Sequence, residues 1–181
     1  MLALAKAKPG QLNYASAGSG TGVHLATELF KSITGTNITH VPYKGAGPAL
    51  TDTMAGQVQL TLQVATAVLP GIRTGKLKPL GVTSLKRTPQ APDLPLIADT
   101  VPGYEWSGWY GPAAPAGTPR EIVAKINAEL IKALKTTGFP ERLAGAGVDP
   151  LGTPPQEYAL FIRAQVQKMR HVIKGSGAKP D

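Results

Sequence analysis

Residues 12 to 34 carry the feature that most limits the fold. A short β-like stretch, Leu12 to Ala15, runs into the glycine-rich Ser16 to Gly22 and then into a helix-patterned segment. Leu25, Ala26, Leu29, Phe30 and Ile33 recur there at helical spacing, and Gly35 is suited to a left-handed cap. A strand joined to a helix through glycines is a unit that needs a parallel neighbour, and the sequence supplies candidates. Ile38 to Val41 reads as a strand broken by Pro42, and Gly47 to Ala55 as a short helix with Pro48 in its first turn. Val58, Leu60, Leu62 and Val64 alternate with polar residues, predicting a strand with one buried face. A helical turn over Ala67 to Thr74 and a strand over Leu80 to Thr83 follow. Strands alternating with helices predict an α/β fold.

The later chain changes character. Pro89, Pro92, Pro95 and Pro102 make Leu85 to Tyr104 an extended connection and the candidate crossover between lobes. Trp106 to Ala113 reads as an aromatic strand. Thr118-Pro119-Arg120-Glu121 has the form of a capping box, followed by Ile122, Ile126, Leu130 and Leu134 on one helical face. Thr153-Pro154-Pro155-Gln156 repeats the device ahead of Tyr158, Phe161, Ile162, Val166, Met169 and Ile173. Both stripes predict helices packed on a sheet. Leu2 to Lys8 reads as the tail of a helix ended by Pro9-Gly10.

Composition removes several classes of function. With no cysteine, disulfides, thiolate catalysis and cysteine-ligated zinc are excluded. No run approaches the ~18 continuous apolar residues of a membrane span, so no stable membrane insertion is expected. Met1 to Pro9 does not read as a signal peptide, because its apolar run is short and its lysines follow that run. The formal charge is +8, but the densest cationic group, Arg73, Lys76, Lys78, Lys86 and Arg87, has no aromatic residue interleaved for base stacking. A solvated basic surface is predicted, with no nucleic-acid partner.

The candidate site is the glycine-rich turn. Ser16, Ala17, Gly18, Ser19, Gly20 and Thr21 combine close-approach backbone, hydroxyl donors and a following helix start, which suits a carboxylate or phosphate. A glycine turn with a capping hydroxyl is the plainer alternative. The run lacks the Gly-Lys-Ser/Thr of a phosphate-binding P-loop and the spacing of the dinucleotide fingerprint. His24 lies one turn into the helix and either faces a ligand or is a packed residue. Tyr43 and Lys44 follow a strand, where open α/β sheets place ligand loops, and read equally as a solvated turn. Gly18-Ser19-Gly20 matches a nucleophile elbow only loosely, no paired carboxylates are present, and no metal site is expected.

These residues together carry a resemblance. YASAGSGT at 14–21 with His24-Leu25, HVPYKG at 40–45, GQV at 56–58, LGVTS at 80–84 with Arg87, and GPAAPAGTP at 111–119 occur in the order found in the receptors of tripartite tricarboxylate transporters. The chain resembles that family almost end to end. The resemblance implies a two-lobed fold like the type II periplasmic binding proteins, with residues 1–100 as a complete second, ligand-binding lobe and 101–181 as the returning part of an incomplete first lobe. It implies a periplasmic solute-binding receptor that captures a small carboxylate and delivers it to membrane permease subunits, with no catalytic residue and no cofactor. In such receptors the turn at Ser16 to Thr21 donates to the ligand carboxylate, and Tyr43 and Lys44 match a second block near the cleft. An export signal and most of a first lobe precede the matching part in the family, so the 119–135 and 155–173 helices are expected to expose apolar surface. Gln59 and Gln63 stand near a position where the family often has an acid, which affects ligand choice. The alternatives are a hydrolase or transferase using the same anion turn, and a truncated remnant that binds nothing.

Overall fold

The computed structural model describes residues 1–87 and 91–176, so Pro89 of the proline-rich connection lies outside the described residues. The chain forms two compact units, Met1–Gly108 with Met169–Asp181, and Trp109–Lys168.

The first unit is built on a three-stranded parallel sheet in the order β2-β1-β3. Its elements are α1 (Leu2–Ala7), β1 (Asn13–Ser16), α2 (Gly22–Thr34), β2 (Thr39–Pro42), α3 (Ala46–Met54), β3 (Leu60–Thr61) and α4 (Ala65–Arg73). The pleat of β1 separates two cores. Tyr14 points to one face and joins Ala5, Phe30, Ile38, Val101 and Tyr104, while Ala15 points to the other and joins Ala49 and Val58. Phe30 meets the Tyr104 ring edge-on, with centroids 5.8 Å apart, the arrangement favoured by the ring quadrupoles. Each fully buried aromatic contributes about 1.5–3 kcal/mol by leaving water.

Helix α2 ends as the sequence predicts. Gly35 takes φ 64°, and its N–H and that of Thr36 both donate to the carbonyl of Lys31, satisfying the last turn. Pro42 is the last residue of β2 and does not break it. The predicted strand at 58–64 shrinks to Leu60–Thr61, because Val64 is exposed and already serves as the N-cap of α4. The predicted strand at 80–83 is reduced to a single bridge, Val82 to Leu96, and Trp106 to Ala113 forms no strand. One 3₁₀ turn spans Ile97–Asp99.

The second unit contains α5 (Arg120–Leu134), α6 (Phe139–Gly145) and most of α7 (Pro155–Ser176). The predicted capping box at Thr118 does not form. Pro119 is the N-cap of α5, and the Thr118 hydroxyl instead donates to the Pro115 carbonyl at 2.8 Å. Nor do the stripes pack on a sheet. Ile122, Ile126 and Leu130 of α5 and Leu160, Phe161, Val166 and Ile173 of α7 are exposed. Trp109, Tyr158 and Phe161 form an aromatic cluster within this unit.

Candidate functional site

The glycine-rich turn lies at the carboxyl end of the middle strand, between β1 and α2. Gly18 at φ 135° and Gly20 at φ 74° adopt left-handed-side backbone that side chains resist, so the run of glycines sets the turn's path. The first turn of α2 brings backbone N–H groups and the positive end of the helix dipole to its mouth. Gly20 and Gly22 at the tip are exposed, whereas Ser16 at the root is fully buried.

Side chains brace the turn from below. Ser16 Oγ donates to the Gly18 carbonyl at 3.0 Å and accepts from the Gly18 N–H at 3.2 Å. Thr21 makes no cap bond to α2; its hydroxyl donates to the Gly18 carbonyl at 2.7 Å. His24 is buried, and its Nδ1 accepts the Gly20 N–H at 2.9 Å.

Beneath these contacts stands a column of three rings. Tyr14 and His40 face each other in the β1–β2 register and stack at 4.8 Å. His24, one turn into α2, stacks on His40 at 4.0 Å with the rings only 9° from parallel. His40 Nε2 lies 2.6 Å from Ser16 Oγ. The Tyr14 hydroxyl donates to Glu28 Oε1 at 2.7 Å, the same oxygen that pairs with Lys31 at 2.6 Å. Burial, reinforced by the Glu28 carboxylate, pushes the Tyr14 phenol well above its usual range. Sequence reasoning did not assign His40 to the site. The signal was present in its position one strand over from Tyr14, but only the register shows that the two meet.

The second predicted segment lies beside the first. The Tyr43 N–H donates to the Ser16 carbonyl at 3.0 Å and the Gly45 N–H to the Ala17 carbonyl at 3.1 Å. Lys44 is exposed, and the Tyr43 hydroxyl donates to Asp52 at 2.9 Å. All nine candidate residues thus fall at the end of β1, on two adjoining loops and at the helix start. Ala17 and Ser19 are partly buried in the turn. Gln59 Oε1 accepts the Asn13 N–H at 3.0 Å, and Gln63 approaches the Thr61 hydroxyl at 3.4 Å, so both lie along the edge of the sheet.

Ser16 beside His40 has the spacing of a nucleophile and a base. Ser16 has no exposed surface, however, and its hydroxyl is already engaged with Gly18, so a substrate cannot approach it. Among the described residues no cluster of metal-ligating side chains occurs.

The sequence model of the tripartite tricarboxylate transporter family receptor matches residues 1–178. The chain belongs to this receptor family. Among relatives, it is 37% identical over 175 residues to the "UPF0065 protein in tcbD-tcbE intergenic region" of Pseudomonas sp. (strain P51), covering 96% of this chain and 52% of that protein. It is 34% identical to protein BugT of Bordetella pertussis, covering 99% of this chain and 55% of BugT. The chain therefore spans about half the length of these curated relatives. Among solved structures, an R. palustris protein with adipate superposes with a TM-score of 0.86 at 38% identity, over 99% of this chain and 60% of that one. MatC from Rhodopseudomonas palustris with bound malate gives 0.80 at 30% identity, over 95% and 60% respectively. The periplasmic binding protein BugD gives 0.82 at 32% identity, over 99% and 61%. Family members are solute-binding receptors, and the α/β fold is that of periplasmic binding proteins. No described helix is long and apolar enough to cross a membrane.

Proposed function

We propose that this chain captures a small carboxylate reversibly at the turn Ser16–Thr21, making and breaking no bond, and hands it to membrane permease subunits of a tripartite tricarboxylate transporter. The observation that carries this reading is the exposed glycine-rich turn at the head of α2, at the carboxyl end of a parallel sheet. The likeness to receptors solved with adipate and with malate supports it. Backbone donors at the start of α2 and the Ser19 hydroxyl hold the carboxylate, while the Thr21 hydroxyl, donating to the Gly18 carbonyl, fixes the turn that presents them. Lys44, exposed on the loop bonded to Ser16 and Ala17, adds positive charge beside it. His24 contributes from beneath. A periplasmic location follows from the same reading, as does assignment of residues 1–100 to the second lobe and 101–181 to the returning part of the first. Placement of β1 to β3 within one compact unit supports the former, though that unit runs on to Gly108 and takes in the chain from Met169, and the exposed stripes of α5 and α7 support the latter.

A thermal-shift series with adipate, malate, citrate, glutamate, aspartate and nicotinate tests the reading. A ligand that binds only the folded state stabilises it by about 2.7 kcal/mol at a hundred times its dissociation constant. One carboxylate is expected to raise the melting temperature, and the double substitution Ser19→Ala with Thr21→Ala to abolish the rise. A rise that survives the double substitution would move the site elsewhere, and no rise with any acid would sink carboxylate capture by this chain.

A further inference from the structure

Tyr104 and Trp106 precede the stretch that crosses to the second unit, and their contacts follow α2. The Tyr104 hydroxyl donates to the Ala26 carbonyl, while the Trp106 ring reaches Gly22, the first residue of the helix. Gly22 and Ala26 lie about 6 Å apart along the helix axis, at ~1.5 Å per residue. Two residues of extended chain span about 6.6 Å and point their side chains to one side. The spacings match, so this segment runs back along α2 and sets Trp106 about a turn nearer the helix start than Tyr104. The Trp106 backbone N–H donates to the Thr83 carbonyl at 2.9 Å, which fixes the segment. The indole body packs against the core cluster that contains Tyr14, Phe30 and Tyr104.

The ring edge turned toward Gly22 is the one that carries the indole nitrogen. A methyl group placed on Gly22 would lie 3.7 Å from Trp106 Cζ2. Cζ2 and Nε1 are bonded to the same ring carbon, so the N–H stands next along that edge. Among the described residues this N–H has no hydrogen-bond partner, and none of their unpartnered side-chain nitrogens or oxygens is buried. The donor therefore opens to solvent at the head of α2, where Gly22 is itself exposed and adds no side chain to cover it. Beside it are the first-turn N–H groups of α2, which have no partner within the helix. An indole nitrogen and a backbone amide are both donors only, whereas an ionised carboxylate only accepts and has about four lone-pair sites on two oxygens. One carboxylate can satisfy both. An amide group would bring hydrogens of its own against them.

We propose that Trp106 is a further ligand-binding residue of the carboxylate site, its indole N–H donating to one oxygen of the acid while the start of α2 holds the other. The proposal rests on the carboxylate-capture reading and adds to it a side chain from outside the two loops, one that selects an ionised acid over its amide.

The test follows the indole N–H signals of the isotope-labelled full chain by NMR during titration with adipate. The chain has two tryptophans, and Trp106→Phe assigns the signal of Trp106 by its loss. That signal is expected to move downfield and to saturate together with the Gly20 and Gly22 amides. Adipamide, the neutral diamide, should leave it in place. Trp106→Phe keeps an aromatic ring and removes the donor, so adipate affinity should fall at least about tenfold, as loss of a hydrogen bond to a charged group does. A Trp106 signal that stays still while the turn amides saturate overturns the proposal and leaves carboxylate capture standing. So does a Trp106→Phe chain that binds adipate as tightly as wild type, or an indole shift that adipamide reproduces. If Trp106→Phe fails to fold, the wild-type titrations with adipate and adipamide decide alone, because a merely structural indole would not track the ligand. Turn amides that respond to no acid of the thermal-shift series would sink the capture reading itself, and the role of Trp106 with it.

Discussion

Tyr14 and Tyr104 are both fully buried, and their hydroxyls differ in what they hold, so replacing each with phenylalanine separates a charged hydrogen bond from a neutral one. The Tyr14 hydroxyl donates to the Glu28 carboxylate at 2.7 Å, whereas that of Tyr104 reaches the Ala26 carbonyl at a long 3.3 Å. Bonds to charged groups contribute about 1.5–3 kcal/mol and neutral ones about 0.5–1.5. Glu28 keeps Lys31 after the change, so Tyr14→Phe should cost about 1.5 kcal/mol, near the lower end of its range, and Tyr104→Phe about 0.5. Alkaline pH provides a second axis. Burial, ahead of nearby carboxylates, raises both phenols in the folded state above the ~10 of an unfolded chain. The unfolded chain therefore releases these protons first. Their contribution is complete below about pH 10 and declines as pH rises above it, by about 1.4 kcal/mol per unit for each group. Urea denaturation followed by tryptophan fluorescence reads this directly, since Trp106 packs beside Gly22 in the same unit. From pH 10 to 11 wild type should lose stability more steeply than Tyr14→Phe. Equal slopes, or a larger neutral-pH cost for Tyr104→Phe, would refute the assignment of the strong bond to Tyr14.

Gly20→Ala should cost about 1–2 kcal/mol through its left-handed backbone alone, because no atom lies within 4 Å of the added methyl, and it should weaken carboxylate binding; chemical denaturation and thermal shift measure the two effects. Ile126 is 48% exposed on the stripe of α5, so Ile126→Lys should change stability by less than about 0.5 kcal/mol while shifting sedimentation toward monomer. A wild-type chain that already sediments as a monomer would show that the stripe does not drive self-association.

What the sequence disclosed was local. The strand, glycine turn and helix from 12 to 35 followed from periodicity and from residues whose backbone preferences leave little choice, and even the Gly35 cap was legible. Errors arose where tertiary contacts decide. Val58 to Val64 alternates as a strand should, but a strand persists only where a neighbour bonds to it, and β1 reaches just two of those residues. Thr118 carried the letters of a capping box, yet its hydroxyl found the Pro115 carbonyl first. The histidine pair was invisible for a different reason. His24 and His40 meet only because the β1–β2 register sets His40 against Tyr14 while α2 folds back over both, and no spacing rule encodes that.

The order β2-β1-β3 also bears on how the chain acquires its fold. The middle strand is synthesised first and is complete at Ser16, yet its first partner ends at Pro42 and its second at Thr61. During synthesis β1 waits with both edges bare while two crossovers are made, and neither pairing can be replaced by a local hairpin. Rapid formation of α2 and α3 is what shortens that wait. Substitutions that weaken α2 would then lower the yield of folded protein more than they lower its stability once folded, a difference that slowed translation or an added chaperone would narrow.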